Sequence, residues 1–330
     1  MPAEWEPQEA TWIAWPHNPN DWPGRFAPIP WVYAEIVRKL SRVEKVRILV
    51  RNGAEQARAR GILRKAGATL EAVEFFECPT DRVWARDFGP TFVVNRRGEG
   101  ALVGWRFNAW AKYDDWQQDA KVPGVLAERL GLPMFAPEMV LEGGSIDVNG
   151  AGLLLTTEEC LLSDVQQRTP GMSRREIERH FREYLGVKRV VWLRNGIAGD
   201  DTHGHVDDLA RFVAADTVVV ASESDRRDTN YEPLRENHAL LREAGLKVMK
   251  LPMPEPLVFN GQRLPASYAN FYIANRMVLV PTFNDVHDRE ALSVLAHAFP
   301  DREVVGVNCT ELIWGLGALH CMTQQQPKTR

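Results

Sequence analysis

The sequence predicts an α/β protein built as a ring of five repeated units, and three observations carry that expectation. Paired apolar segments joined by turns alternate with amphipathic helices through the middle of the chain. Each unit opens on a short polar motif, at Asp87, Glu142, Asp207, Asn270 and Cys321, spaced 55, 65, 63 and 51 residues apart. The last unit begins "ALHC", runs into "MTQQQP" and ends without its second strand, while "ATWIAWP" at Ala10 to Pro16 is an apolar segment with no partner of its own. The two ends are therefore expected to meet and close the ring, giving one domain over residues 1–330. A closed array hides its sheet edges, as propellers do. An ordinary parallel sheet also alternates strand and helix, but it needs one strand per helix, and here two precede each.

The elements follow in order. After "WARDFGP", the segment "TFVVNRRGEGALVGW" reads as a hairpin turning near Gly98–Gly100. A helix from about Val122 to Leu130 follows, closed by Gly131. "EGG" opens "SIDVNGAGLLLTTEE", whose turn is Asn149-Gly150. Ser173 with Glu176 forms a capping box, and Ile177, Phe181 and Leu185 line one face of the helix behind it. Gly186 supplies the C-cap and "VKRVVWL" the next strand. "GHVDD" opens "LARFVAADTVVVAS", with a helix ending at Gly245 and a strand "LKVMKL". "ASYANF" opens "YIANRMVLVP", with a helix from about Asp288 to Phe299 and a strand "REVVGV".

Composition narrows the function. A net charge of −4 with no basic run gives no electrostatic footprint for nucleic acid. No apolar stretch approaches the roughly 20 residues that span a bilayer, and the acidic start "MPAEWEPQEATWIAWPHN" lacks the parts of a signal peptide. Cys78, Cys160, Cys309 and Cys321 lie far apart with no CxxC pair, the usage of reduced thiols in a cytoplasm.

Equivalent motifs in a ring converge near its axis. Asp87, Glu142, His205, Asp207 and Cys321 are then expected to share one pocket. Three carboxylates repel one another unless a cation enters, and no Arg or Lys is needed in the set beyond Arg86, which an extended backbone turns away from Asp87. Planar, bidentate recognition of carboxylates points to a guanidinium as that cation. Trp84, close before Asp87, can bound its flat face, although plain core packing explains a tryptophan equally well.

Neighbouring side chains of a strand face opposite ways, so His320 is not expected to serve Cys321 as a base. His205 is the candidate acid and base. A guanidinium at ~4 Å, with an effective dielectric of about 20, favours a thiolate by about 4 kcal/mol, or roughly three pKa units. The substrate thus helps to ionise its own nucleophile, and attack on the guanidinium carbon gives an amidino-cysteine intermediate. Each residue alone has a plainer explanation: a lone cysteine is more often a small buried hydrophobe, and "EGG" a turn. A metal site is the competing expectation, because His203, His205 and Asp207 alternate along "THGHVDD" and suit a first-row metal if that segment is extended. A non-catalytic guanidinium-binding module is a third.

"PAEWEPQEATWIAWP", "WARDFGPTFV", "FNAW", "LEGGSIDV", "TTEECLL", "GHVDD", "ASYANFYIAN", "FPDREVVGV" and "LHCMTQQQP" together resemble the agmatine deiminase family, in the bacterial peptidyl-arginine-deiminase-like group of the guanidino-modifying superfamily. The resemblance implies a pentein fold, five ββαβ modules about a pseudo-fivefold axis. It implies hydrolysis of agmatine to N-carbamoylputrescine and ammonia, without cofactor or metal. Cys321 in "HC" matches the nucleophile, His205 in "GHVD" the acid/base, Asp87 and Asp207 the guanidinium carboxylates, Glu142 the remaining acid and Trp84 a substrate-lining aromatic. It also implies a small cationic guanidino substrate and a homodimer. The chain departs from the family where it reads "GLGALHC", "HGHVDD" and "AKYDDWQQD", all places where a substrate tail can sit. A second cation on that tail is expected to meet Asp114 or Asp115, with another alkylguanidine or peptidyl-arginine as the alternative substrate.

Overall fold

The computed structural model describes residues 1–329. It is a mixed α/β fold with several small sheets, five of which repeat one strand pattern. In four of them an antiparallel pair is extended by one parallel strand. Thr91–Val94 pairs with Gly100–Val103, which is parallel to Met134–Phe135. Asp147–Val148, Leu153–Thr157 and Arg189–Leu193 repeat this order, as do Ala210–Ala214, Thr217–Ser222 and Lys247–Pro252. The fourth set is Tyr272–Ile273, Met277–Thr282 and Glu303–Asn308.

The fifth sheet draws on both chain ends. Gln8–Ala14 pairs antiparallel with Gln324–Pro327, Trp12 facing Gln324 and Gln8 facing Pro327. It is parallel to Lys45–Val50, which is in turn parallel to Val73–Glu77. A parallel crossover needs a long connection, usually helical. Helices supply it at Ile29–Leu40, Gly53–Ala66, Val122–Leu130, Arg174–Leu185, Tyr231–Glu243 and Asp288–Ala298.

Local chemistry sets the element ends. The Ser173 hydroxyl accepts from the Glu176 backbone N–H, the Glu176 carboxylate accepts from that of Ser173, and Gly186 ends the helix at φ 71°. Ile177, Phe181 and Leu185 are buried. The Asn149 side chain caps its hairpin by accepting from the N–H groups of Ala151 and Leu153. Among the described residues no helix is long and apolar enough to cross a membrane.

Candidate active site

The polar motifs are not extended. The chain makes one helical turn at each of four: Ala85–Phe88, Gly143–Ser145, Val206–Asp208 and Leu319–Met322. This corrects the extended backbone expected around Asp87, His205 and Cys321. A single turn shows no apolar period, so nothing in the pattern announces it. "EGG" is glycine-rich for a steric reason. A Cβ on Gly143 would meet the Arg86 carbonyl oxygen at 2.2 Å, and one on Gly144 would lie 2.6 Å from His205 Nδ1 and 2.8 Å from Asp87 Oδ1.

These turns bring the five predicted side chains together. His205 Nδ1 lies 3.8 Å from Asp87 Oδ1 and 4.0 Å from Asp207 Oδ1, and its Nε2 lies 3.6 Å from Glu142 Oε2. The Cys321 thiol donates to Asp207 Oδ2 at 3.7 Å and accepts from Asn270 Nδ2 at 3.0 Å. Glu142, His205 and Asp207 are wholly buried, while Cys321 closes one end of a cavity of about 330 Å³ that Trp84, Asp87 and Trp110 also line. Glu142 Oε2, Asp207 Oδ1 and both ring nitrogens of His205 have no hydrogen-bond partner among the described residues. Buried polar atoms without partners are expensive, and these four face one another just behind Asp87 and Cys321, which line the cavity.

The charges are set by burial and by one another. Burial alone would raise the Glu142 carboxyl, but the Arg168 guanidinium, with His205, brings it down to about 2. Arg168 Nε donates to Glu142 Oε1 at 2.9 Å. Burial lifts Asp87 to about 6; Asp207 and Glu142 add to the rise, His205 and Trp110 oppose it. For His205, burial favours the neutral ring, yet the Asp87 carboxylate, with Cys160 and Glu142, raises its pKa well above the ordinary value. Burial raises the Cys321 thiol too, and Asp207, Asp208 and Asp87 push it further. These shifts favour the neutral thiol at Cys321 and the protonated ring at His205.

Four residues were not foreseen in these roles. Arg168 supplies a built-in cation, against the expectation that the set needs none. Nothing in "QQRTPGM" signals it except the need to balance three acids. Trp110, from "FNAW", donates its indole N–H to Asp87 Oδ2 at 2.9 Å. It sits mid-way along three left-handed residues, Ala109, Trp110 and Ala111, at φ 49°, 57° and 53°, strain of a kind that gathers at functional sites. Asn270 bridges Cys321 and Asp208, donating to Asp208 Oδ1 at 3.0 Å. His320 touches Asp207 rather than nothing of consequence, its Nδ1 lying 2.7 Å from Asp207 Oδ2.

Other expectations change. Arg86 does turn from the cavity, toward the carbonyl of His320 and the side chains of Gln325 and Glu4. His203 does not join His205. It adopts φ 62° and faces Glu159, at 3.8 Å, and Ser163, at 3.2 Å. The expected His203–His205–Asp207 triad is thus not assembled. Asp114 is not among the cavity residues, whereas Asp115 is and holds Arg82 Nη2 at 2.5 Å. Arg82 also binds Asp21 at 2.9 Å, so the cavity wall contains an arginine that is already doubly paired.

A buried thiol and several acids border one cavity with a histidine behind them, the set of groups a nucleophilic enzyme requires. The chain belongs to the Porphyromonas-type peptidyl-arginine deiminase family, whose model matches residues 1–327. It is 38% identical over 361 aligned positions to an agmatine deiminase of Pseudomonas aeruginosa, covering 100% of this chain and 96% of that one. Among solved structures, a C. jejuni agmatine deiminase with substrate bound is 32% identical, with TM-score 0.92 and coverage of 100% of this chain and 96% of that one. The agmatine deiminase of Enterococcus faecalis is 34% identical, with TM-score 0.92 and coverage of 99% and 95%.

Proposed function

We propose that the chain is a cysteine hydrolase of guanidinium groups whose substrate is agmatine, converted with water to N-carbamoylputrescine and ammonia. The gathering of Asp87, Glu142 and Asp207 around His205, with Cys321 against Asp207, carries this reading. Asp87 and Asp207 receive the guanidinium nitrogens. The incoming cation offsets the acids that hold the thiol neutral, at about 4 kcal/mol for ~4 Å and a dielectric of about 20. The thiol proton leaves to solvent, and the Cys321 thiolate adds to the guanidinium carbon. His205, already an imidazolium, gives its proton to the departing nitrogen, and ammonia leaves an S-bound thiouronium. His205, now neutral, takes a proton from water as the water adds to that carbon. The C–S bond then breaks, releasing the urea product and the free cysteine. Glu142, beside Nε2, keeps the His205 ring in place throughout. Free His205 makes no hydrogen bond to Cys321, consistent with a substrate that sits between them. Trp84 bounds the guanidinium plane.

The wall of the cavity supports a cationic tail. Beyond Asp87 it carries Asp21, Asp115 and Asp201 against the single lining cation Arg82. Lys112 pairs with Asp201 from outside the lining set. The α-carboxylate of arginine would have to displace one of these pairings. On the scale of the whole chain, the recurring strand pattern supports five ββαβ modules about a pseudo-fivefold axis in one domain, closed by the pairing of Gln8–Ala14 with Gln324–Pro327. Four buried, unpaired cysteines support a reducing compartment, the cytoplasm.

The test is ammonia release from agmatine, arginine and an arginyl peptide by wild type and Cys321→Ala. Agmatine is expected to be turned over best and the variant to be inert. Preference for arginine refutes the substrate, and an active variant refutes the chemistry.

A further inference from the structure

Resting on the guanidine-hydrolase proposal, we infer that His320 is a doubly protonated clamp, seated on Glu4, that positions Asp207 for the substrate. Both ring nitrogens meet carboxylate oxygens: Nδ1 lies 2.7 Å from Asp207 Oδ2 and Nε2 2.8 Å from Glu4 Oε2. An ionised carboxylate only accepts hydrogen bonds, and a neutral imidazole has one nitrogen that only accepts. Either both nitrogens carry protons or one acid does.

The surroundings decide between these. Glu4 Oε1 accepts from the Ile273 N–H at 2.8 Å and lies 3.0 Å from Arg211 Nη2, while Oε2 accepts from Arg86 Nη2 at 3.3 Å. Two donors, the Ile273 N–H and Arg86 Nη2, together with the Arg211 guanidinium alongside, favour the anion on this buried carboxyl group. Burial would raise Glu4, but Arg211, His320 and Arg86 hold it well below the usual carboxylate range. Asp207 is also held low, by His320, His205 and Arg211 against burial. Asp147 faces Arg211 Nε at 3.4 Å. The buried core behind the site thus holds three acids, Glu4, Asp147 and Asp207, and two arginines, Arg86 and Arg211. A cationic His320 sits between two of these acids, Glu4 and Asp207.

The geometry gives the clamp a purpose. His320 occupies Asp207 Oδ2 and leaves Oδ1 unpartnered toward His205. The groups facing Asp207 are His320, His205, Arg211, Asp87, Asp208 and the Cys321 thiol; those facing His320 are Asp207, Glu4 and Arg86, whose Nε donates to the His320 carbonyl. Glu4 meanwhile touches the neighbours of several motifs: Arg86 beside Asp87, Arg211 after Asp207, Ile273 after Asn270 and His320 beside Cys321. It registers these turns against one another from the chain's own start.

Two amide variants separate a positioning role from space filling. In His320→Asn the amide nitrogen takes the place of Nδ1 and keeps the donor to Asp207. In His320→Gln it takes the place of Nε2 and keeps only the donor to Glu4. Asn is expected to hold kcat/KM for agmatine within about 10-fold of wild type, and Gln to lose about 100-fold, mainly through KM. Loss of the positive charge in either variant also moves the acid limb of kcat/KM upward in pH. Gln matching or exceeding Asn, with melting temperatures alike, overturns the inference. If neither variant folds, nitrogen NMR of wild type labelled at histidine decides: two protonated nitrogens on His320 support the clamp, and a single one refutes it. Wild type is assayed first. No turnover there sinks the guanidine-hydrolase proposal, whereas turnover with equal variants sinks the clamp alone.

Discussion

Arg168→Met isolates the arginine that pairs with Glu142 before substrate arrives. Arg168 and Glu142 are both fully buried at 2.9 Å, so the change leaves a carboxylate alone in the interior. The Glu142 carboxyl sits at about 2 instead of the usual 4.5. That displacement corresponds to about 3 kcal/mol at roughly 1.4 kcal/mol per pH unit, within the range of about 3–5 kcal/mol for breaking a buried pair. The folded-state value lies below the unfolded one. The stabilisation is therefore complete above about pH 4.5 and is lost as pH falls through about 2. Denaturant unfolding at neutral pH is expected to show that loss for Arg168→Met. The double variant Glu142→Gln/Arg168→Met, which buries no charge at this pair, is expected to recover much of it. Activity should not return with stability, because the double variant has no anion at His205 Nε2. A loss below about 1 kcal/mol in the single variant, or a double variant no more stable than the single, refutes the reasoning.

Two further outcomes follow from the same geometry. Asp87 must be ionised to receive a cation, and burial places it near 6 in the free enzyme; kcat/KM for agmatine is therefore expected to rise with pH through about 6, and Asp87→Asn to abolish that limb while lowering kcat/KM by about 100-fold or more. A pH profile unchanged in Asp87→Asn contradicts this. Gly144→Ala puts a methyl group 2.6 Å from His205 Nδ1 and 3.0 Å from Asp207 Oδ2, so activity should fall steeply with a stability loss of about 1–3 kcal/mol. A fully active Gly144→Ala would show that the acids have more room than this arrangement allows.

Much of the mixed α/β arrangement was legible because it rests on period and punctuation. The helix at Val122–Leu130, the capping box at Ser173 and the hairpin turn at Asn149-Gly150 are all local signals, and local hydrogen bonds enforce them. The one-turn helices at the motifs were not legible, since three or four residues cannot show a helical period. The meeting of acids, imidazole and thiol followed from the equivalence of repeated units. The groups that tune them did not: Arg168, Trp110 and Glu4 come from outside the repeating positions, and no spacing connects them to the cavity. His203 illustrates the opposite failure. Its alternation with His205 is real in sequence, but a left-handed residue breaks the strand geometry that alternation assumes.

Covalent capture tests the central claim most directly. Enzyme mixed with agmatine and quenched in acid during turnover should carry one extra substrate-derived amidine, located by peptide mass spectrometry on Cys321. Turnover at the wild-type rate with that sulfur unmodified, or the label on another residue, would contradict the account.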